Sequence, residues 1–126
     1  MKFNPEWRAV PTPSYVVDAR RLKKNLTILA EVQKDTGCRI LLAQKTFSMY
    51  HFYPLIRQYL AGSAASGLYE ARLAHEEMGG ENHIFSPAYC EDEFAEITAI
   101  CDHIVFNSLA QWEKFGGQAL AKGCTC

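Results

Sequence analysis

Short apolar runs recur along this chain about every 20 residues, and a stretch with helical periodicity follows each of them. The runs are centred on Leu41, Ala64, Ile84 and Val105. Strands that alternate with helices through short connections are typical of βα units, which build a parallel sheet because each helix returns the chain to the start of the next strand. The pattern therefore predicts an α/β protein with about four βα units.

The first connection separates two kinds of parallel sheet. An open dinucleotide-binding sheet usually has a glycine-rich phosphate turn after its first strand, whereas residues 45–48 are Lys, Thr, Phe and Ser. A (β/α)8 barrel of the TIM type fits better, and a whole barrel needs about 250 residues. With 126 residues, the chain is expected to be the truncated N-terminal portion of such a barrel. A complete α/β sandwich is the alternative, although residues 123–126 look like the start of another strand.

Local signals predict where several helices begin and end. Asp18 suits the N-cap of a helix over residues 19–34, and Gly37 suits its end. Pro54 is expected near the start of the second helix, and the glycine pair at 116–117 could end the last helix early. The first helix is expected to bury one apolar face, formed by Leu22, Leu26, Leu29 and Val32.

The composition is that of an ordinary soluble protein, with 48% hydrophobic and 21% charged residues. A net charge of −1 provides no basic face for nucleic acid, and no apolar run is long enough to span a membrane. The polar, proline-broken N-terminus does not look like a secretory signal, so a cytoplasmic location is expected. The five cysteines and four histidines show no zinc-type spacing, and no metal is assigned.

Lys45 follows the first buried strand and is the most conspicuous candidate for chemistry. In barrels the active site lies at the C-terminal ends of the strands, which places Lys45, Ser66, Ser86 and Asn107 on one face. A partly desolvated lysine amine can form a Schiff base with a carbonyl cofactor. A lysine whose ammonium simply reaches water past the strand end is the alternative, and the residues alone leave both open.

Several motifs occur in a fixed order along the chain, at residues 12–18, 21–26, 41–49, 65–73, 85–89, 103–108 and 111–113. Together they resemble the fold-type III pyridoxal-phosphate decarboxylases, a family with diaminopimelate, ornithine and carboxynorspermidine enzymes. The turn after Lys45 and the motifs downstream of it look most like the carboxynorspermidine decarboxylase branch.

The resemblance implies that Lys45 is the catalytic lysine that binds pyridoxal 5'-phosphate as a Schiff base. It also implies that Ser66 and Glu70 lie near the cofactor, although Ser66 could be only an N-cap and Glu70 only an exposed helical carboxylate. Ser86 and Asn107 are weaker candidates, and Tyr89 is expected to serve packing. The implied reaction is decarboxylation of carboxynorspermidine or carboxyspermidine to norspermidine or spermidine in polyamine biosynthesis. A diaminopimelate or ornithine decarboxylase and a non-catalytic cofactor-binding barrel are the alternatives.

The family also has a second, β-rich domain and forms homodimers. By resemblance, residues 1–18 are expected to be a leader and a short strand, at residues 14–17, of that second domain. Residues 19–126 are then the partial barrel. The remaining cofactor and substrate groups would lie outside this chain. We therefore expect the chain alone to be unstable, because half a barrel leaves exposed sheet edges, and not to decarboxylate.

Overall fold

The computed structural model describes residues 5–126, which form a four-stranded parallel sheet with helices packed on one face. The strands occur in sheet order β1-β2-β3-β4. Each strand pairs with the next in sequence, which is the arrangement that successive βα units produce. The strands are β1 (Leu41–Ala43), β2 (Gly62–Ala65), β3 (Glu81–Phe85) and β4 (His103–Val105).

Five α-helices alternate with these strands, as the spacing of the apolar runs predicts. They are α1 (Ala19–Thr36), α2 (Tyr53–Ile56), α3 (Leu68–Leu73), α4 (Glu91–Ile100) and α5 (Leu109–Ala121). A 3-10 turn, Tyr50–Phe52, precedes α2, and α3 runs on into a π-helical turn, Ala74–Met78. Pro54 lies in the first turn of α2, where its missing N–H costs no hydrogen bond.

The predicted caps of α1 are confirmed, but its predicted apolar face is only partly buried. The Asp18 side chain accepts hydrogen bonds from two backbone N–H groups of the first turn, and Gly37 ends the helix with φ of 73°. Leu26 is buried, whereas Leu29 and Val32 remain 37% and 41% exposed. The helix packs on the sheet edge along its Leu22–Leu26 side, so the face predicted from spacing is rotated partly toward solvent.

Two groups of buried apolar residues lie between the sheet and the helices. The central cluster belongs to β2–β4 and α3–α5, and the edge cluster lies between α1, α2 and β1. The central cluster is Ala65, Leu68, Ala71, Ile84, Tyr89, Phe94, Ile97, Cys101, Ile104, Phe115, Ala119 and Cys124. The edge cluster is Leu26, Tyr53, Ile56, Leu60 and Met78, with half-buried neighbours around it.

The sheet has one covered and one more open face, because side chains alternate along each strand. On β3, Asn82 and Ile84 are buried beneath the helices, whereas Glu81 and His83 point to the opposite face and are half-buried. Parallel pairing places His83 beside His103 of β4 and beside Ala64 of β2. The more open face of the sheet is therefore lined by residues whose neighbours are set by strand register.

Three local expectations differ from the structure. β1 is half-buried rather than buried on both faces, because among the described residues it lies at an edge of the sheet. α5 continues through Gly116, where the ring of Trp112 lies so close that a Cβ would meet it at 2.5 Å. Residues 14–17 form no strand, and Tyr15 is 96% exposed. Their assignment to a second domain stays a prediction.

Candidate active site

The carboxyl ends of the four strands lie at one edge of the sheet, and each is followed by one of the predicted site residues. Lys45 follows β1, Ser66 follows β2, Ser86 follows β3 and Asn107 follows β4. Parallel pairing of all four strands makes this a single edge. The expected common face is thus present, and the local contacts decide what each residue can do there.

Lys45 projects from a 3-10 turn, Gln44–Thr46, that directly follows β1. Its side chain is exposed and forms no ion pair within residues 5–126. It lines a groove of about 520 Å³, within the range of small-ligand sites. The other lining residues are Tyr15, Val16, Val17, Thr46, Phe47, Ser48 and Met49. The Lys45 side chain therefore borders a partly apolar groove.

A buried polar network holds the Lys45 turn from below. Gln44 is fully buried, and its side-chain amide donates a hydrogen bond of 2.8 Å to the backbone carbonyl of Glu70. The hydroxyl of Tyr53 donates to Gln44 Oε1 at 3.1 Å. Burial, with a smaller contribution from the negative charge of Glu70, raises the pKa of Tyr53, so this hydroxyl stays protonated as a donor. The network ties the residue before Lys45 to α2 and α3.

Ser66 and Glu70 lie together, but their contact is through the Ser66 backbone. Glu70 Oε2 accepts a hydrogen bond of 2.6 Å from the Ser66 N–H, so the carboxylate satisfies a backbone donor at the start of α3. The expectation that Ser66 might be the N-cap is wrong, because Gly67 occupies that position and no side chain caps the helix there. Neither residue lines the Lys45 groove. Glu70 has a structural task in this chain whatever else it does.

Around the ends of β3 and β4, the predicted residues mainly stabilise turns. The Ser86 hydroxyl donates to the Ala88 carbonyl at 2.8 Å, and the Asn107 N–H donates to the Gln111 side chain at 3.0 Å. Tyr89 is buried, as expected for a packing residue, and its hydroxyl donates to the Val105 carbonyl at 2.9 Å. Burial raises the pKa of Tyr89 to about 12, so it does not ionise near neutral pH.

Sequence reasoning missed three contributors to the Lys45 neighbourhood. The sequence could have indicated a role for Gln44, because a polar residue at the end of a buried apolar strand needs a hydrogen-bond partner. Its partner Tyr53 is nine residues away and lies beyond an irregular turn, so no periodicity connects them. The proximity of residues 15–17 to Lys45 is a tertiary contact that spacing alone does not encode.

No protein-family profile matches this chain, but individual known proteins do. The chain is 38% identical over 110 residues to a carboxynorspermidine/carboxyspermidine decarboxylase of Herminiimonas arsenicoxydans, a match that covers 87% of this chain and 30% of that protein. It is 43% identical over 109 residues to the enzyme of the same name from Campylobacter jejuni, covering 86% of this chain and 28% of that protein. This chain resembles the N-terminal part of carboxynorspermidine decarboxylases. The resemblance inferred from its motifs is thereby confirmed.

Two further matches define how far the likeness extends. A crystal structure of carboxynorspermidine decarboxylase from Campylobacter jejuni, complexed with norspermidine, superposes with a TM-score of 0.85 at 42% identity. That match covers 88% of this chain and 30% of the solved chain, which confirms the predicted fold as part of a decarboxylase barrel. A carboxyaminopropylagmatine decarboxylase of Synechocystis is 39% identical over 89% of this chain and 29% of that protein.

The chain spans about 30% of the length of the curated relatives that it matches. Within residues 5–126, no helix is both long enough and apolar enough to cross a membrane.

Proposed function

We propose that this chain is the N-terminal part of a pyridoxal-phosphate-dependent decarboxylase that acts on a carboxylated polyamine, and that Lys45 is its cofactor lysine. The observation that carries the proposal is the place of Lys45. It stands at the carboxyl end of β1, beside a groove, in a chain 38–43% identical to decarboxylases of this class. The proposed substrate is carboxynorspermidine or carboxyspermidine, and the product is norspermidine or spermidine.

The residues around Lys45 suit a phosphorylated pyridine aldehyde. The group needs an amine to hold its aldehyde carbon, an apolar wall for its ring and polar atoms at its rim. Lys45 offers an amine without a competing ion pair, Phe47 and Val17 supply apolar surface, and Thr46 and Ser48 carry hydroxyls along the same groove. The residues present therefore fit the group, and Lys45 would hold it covalently through Nζ.

When bound, pyridoxal phosphate supplies an electron sink for the charge left behind when carbon dioxide departs. The part played by this chain is to place the amine. Gln44 is held by Glu70 and Tyr53, so the turn that presents Lys45 cannot shift without breaking buried hydrogen bonds. Glu70 in turn holds the start of α3 through the Ser66 N–H. In this proposal Ser66 and Glu70 border the cofactor from the neighbouring strand end.

Reductive trapping tests the cofactor assignment directly. The chain, joined to the C-terminal part of the Campylobacter jejuni decarboxylase, is mixed with one equivalent of pyridoxal phosphate, reduced with borohydride, digested and mapped by mass spectrometry. We expect the label on Lys45, its loss in Lys45→Arg, and its retention in Lys24→Arg, which removes an exposed lysine of α1. Equal labelling of many lysines, or labelling unchanged by Lys45→Arg, would contradict the proposal.

Activity is best tested in a chimera, because the chain spans only part of its relatives. This chain would replace the matching N-terminal segment of the Campylobacter jejuni decarboxylase, and release of carbon dioxide from carboxynorspermidine would be measured. Turnover that Lys45→Arg abolishes and Lys24→Arg preserves is the expected result. Turnover that survives Lys45→Arg would exclude Lys45 as the catalytic lysine.

A second substrate, carboxyaminopropylagmatine, follows from the likeness to the Synechocystis decarboxylase. That likeness is as strong as the likeness to the carboxynorspermidine enzymes, so the same chimera should be assayed with both substrates. A preference for diaminopimelate would exclude both. The proposal includes a homodimeric assembly and a cytoplasmic location for the complete enzyme, which sedimentation and cell fractionation would check.

A further inference from the structure

The more open face of the sheet carries a cluster of possible metal ligands that is separate from the Lys45 groove. Glu81 and His83 are two positions apart on β3, so their side chains lie on the same face. His103 stands directly beside His83 on β4. One ligand atom from each of the three residues lies within 4.8 Å of the others. Strand pairing alone therefore brings together two imidazoles and one carboxylate.

Two imidazoles and a carboxylate are donors that suit zinc-class divalent ions. Neighbouring strands lie about 4.8 Å apart, so ligands at i and i+2 of one strand and at the paired position of the next can reach one ion. The adjacent positions on β2 carry small residues. Ala64, which pairs with His83, has a small side chain, whereas Gly62 packs tightly against the backbone of its partner Glu81.

Two neighbours orient the carboxylate of Glu81. Arg39 forms an ion pair with Glu81 Oε1, while Glu81 Oε2 lies 3.1 Å from His83 Nε2. Arg39 has a 65% exposed side chain, so it can turn into water when a cation arrives. One carboxylate oxygen is thus held and the other faces the imidazoles.

The two imidazole rings are stacked, with centroids 4.0 Å apart and planes inclined by 14°. In-plane lone pairs of parallel rings do not converge, so coordination requires one ring to turn about its Cβ–Cγ bond. Both histidines are half-buried, so neither ring is fully enclosed by its neighbours. Ion binding would therefore exchange the stack for two metal–nitrogen bonds, and this change is measurable.

We propose that Glu81, His83 and His103 form a binding site for a zinc-class divalent transition-metal ion that joins β3 to β4. Three protein ligands leave a fourth, tetrahedral position for water. The ion would hold two neighbouring strands together, and it would have no direct part in the chemistry at Lys45.

Cobalt titration tests the site, because Co²⁺ reports its ligands by absorption. The chain is titrated with Co²⁺ alone and with Zn²⁺ in competition, and circular dichroism checks that each variant is folded. We expect a visible cobalt spectrum without thiolate charge transfer. That band would appear if the exposed cysteines, Cys38, Cys90 and Cys126, competed for the ion. His83→Gln and His103→Gln should each weaken binding about tenfold or more. The matched control, His75→Gln, removes an exposed histidine of the π-helical turn and should leave affinity unchanged.

Arg39→Ala separates ligand loss from misfolding, because it should tighten binding by removing the cation that competes for Glu81. Because an unfolded chain would expose cysteines that also bind Co²⁺, the increase supports the site when circular dichroism shows a folded variant and the spectrum lacks thiolate charge transfer. The proposal is overturned if the folded chain binds no Co²⁺ at millimolar concentration, or if the two histidine variants bind as well as His75→Gln does. Thiolate charge transfer as the only spectral signature would also overturn it, by placing the ion on cysteine.

Discussion

The two apolar clusters of this chain differ in size and in aromatic content. The central cluster contains tilted and edge-to-face aromatic rings, with Phe94 and Phe115 centroids 4.4 Å apart and Tyr89 at 5.5 Å from Phe94. The edge cluster is bordered by half-buried residues, and α1 above it exposes 52% of Ile28. Lys45 follows β1, which borders the edge cluster. Folding stability should therefore come mainly from the larger central cluster, and the candidate chemistry lies beside the smaller one.

The largest effect is expected from emptying the centre. Phe94 is fully buried among aromatic rings, so Phe94→Ala should destabilise the fold by about 3–5 kcal/mol through lost burial and a residual cavity. Leu29→Ala on the exposed side of α1 should cost under about 1 kcal/mol. Urea unfolding followed by circular dichroism gives both values. Equal costs for the two substitutions would refute the assignment of folding stability to the central cluster.

An intermediate effect is expected at the one strongly buried polar contact of the Lys45 region. Gln44→Ala removes the hydrogen bonds of Gln44 with the Tyr53 hydroxyl and the Glu70 carbonyl, which should cost about 1–3 kcal/mol. It should also slow borohydride trapping at Lys45, because the turn that presents the lysine is no longer held. Gln58→Ala is the matched control, since Gln58 is exposed and bonds only within its own turn. Trapping that is unaffected by Gln44→Ala would remove Gln44 from the proposed positioning role.

A smaller effect is expected where α1 begins. Asp18 Oδ1 accepts from the N–H groups of Arg20 and Arg21 at 3.0 and 3.2 Å, and Asp18→Ala should cost about 1 kcal/mol. Hydrogen exchange should accelerate in α1 and stay unchanged in α4 if the two regions open separately. Asp35→Ala, at the exposed far end of α1, should leave exchange at the first turn as it was. Uniform acceleration across both helices would indicate one cooperative unit instead.

Local signals in the sequence predicted the elements well, and tertiary geometry accounts for what they missed. Asp18 and Gly37 act within a few residues of their own position, so their roles as caps were readable from the sequence. The strand order followed from spacing, because short connections leave little choice of neighbour. The orientation of α1 did not follow, because helical spacing shows which residues share a face but not which part of that face packs on the sheet; Leu26 is buried, whereas Leu29 and Val32 are left exposed.

The candidate site, like the fold, was predicted from the sequence where it depends on local signals and missed where it depends on tertiary contacts. Lys45 was identified because it follows a strand, which is a local property, and its motifs carried the family resemblance. The contacts that support Lys45 were not predicted, because Gln44 and Tyr53 meet only after α2 has folded back on β1. The pairing of His83 with His103 depends on strand register, which cannot be predicted from the spacing of histidines along the chain. Chemistry distributed over neighbouring strands is therefore the part that sequence patterns report least.

The smallest effect is expected from an ion pair on the helix surface of the central region. Arg72 of α3 binds both carboxylate oxygens of Glu96 on α4 through Nε and Nη2. The hydrogen bond from Arg72 lowers the pKa of Glu96 below its usual range. A carboxyl with a lowered folded-state pKa stabilises the fold above its unfolded-state pKa, and loses that contribution as the pH falls through the folded-state value. The urea midpoint should therefore fall less between pH 6 and about pH 3 in Glu96→Gln than in the unmodified chain.

Glu113→Gln is the matched control for that comparison, because Glu113 is an exposed glutamate of α5. Its acid dependence should match that of the unmodified chain. Both residues of the Arg72–Glu96 pair are partly exposed, so salt should shrink the effect, and it should stay well below that of Phe94→Ala. An effect of Glu96→Gln as large as that of Phe94→Ala would mean that the α3–α4 contact depends on charge as much as on the aromatic core. Stability of the central region would then have to be assigned to its surface as well as to its packing.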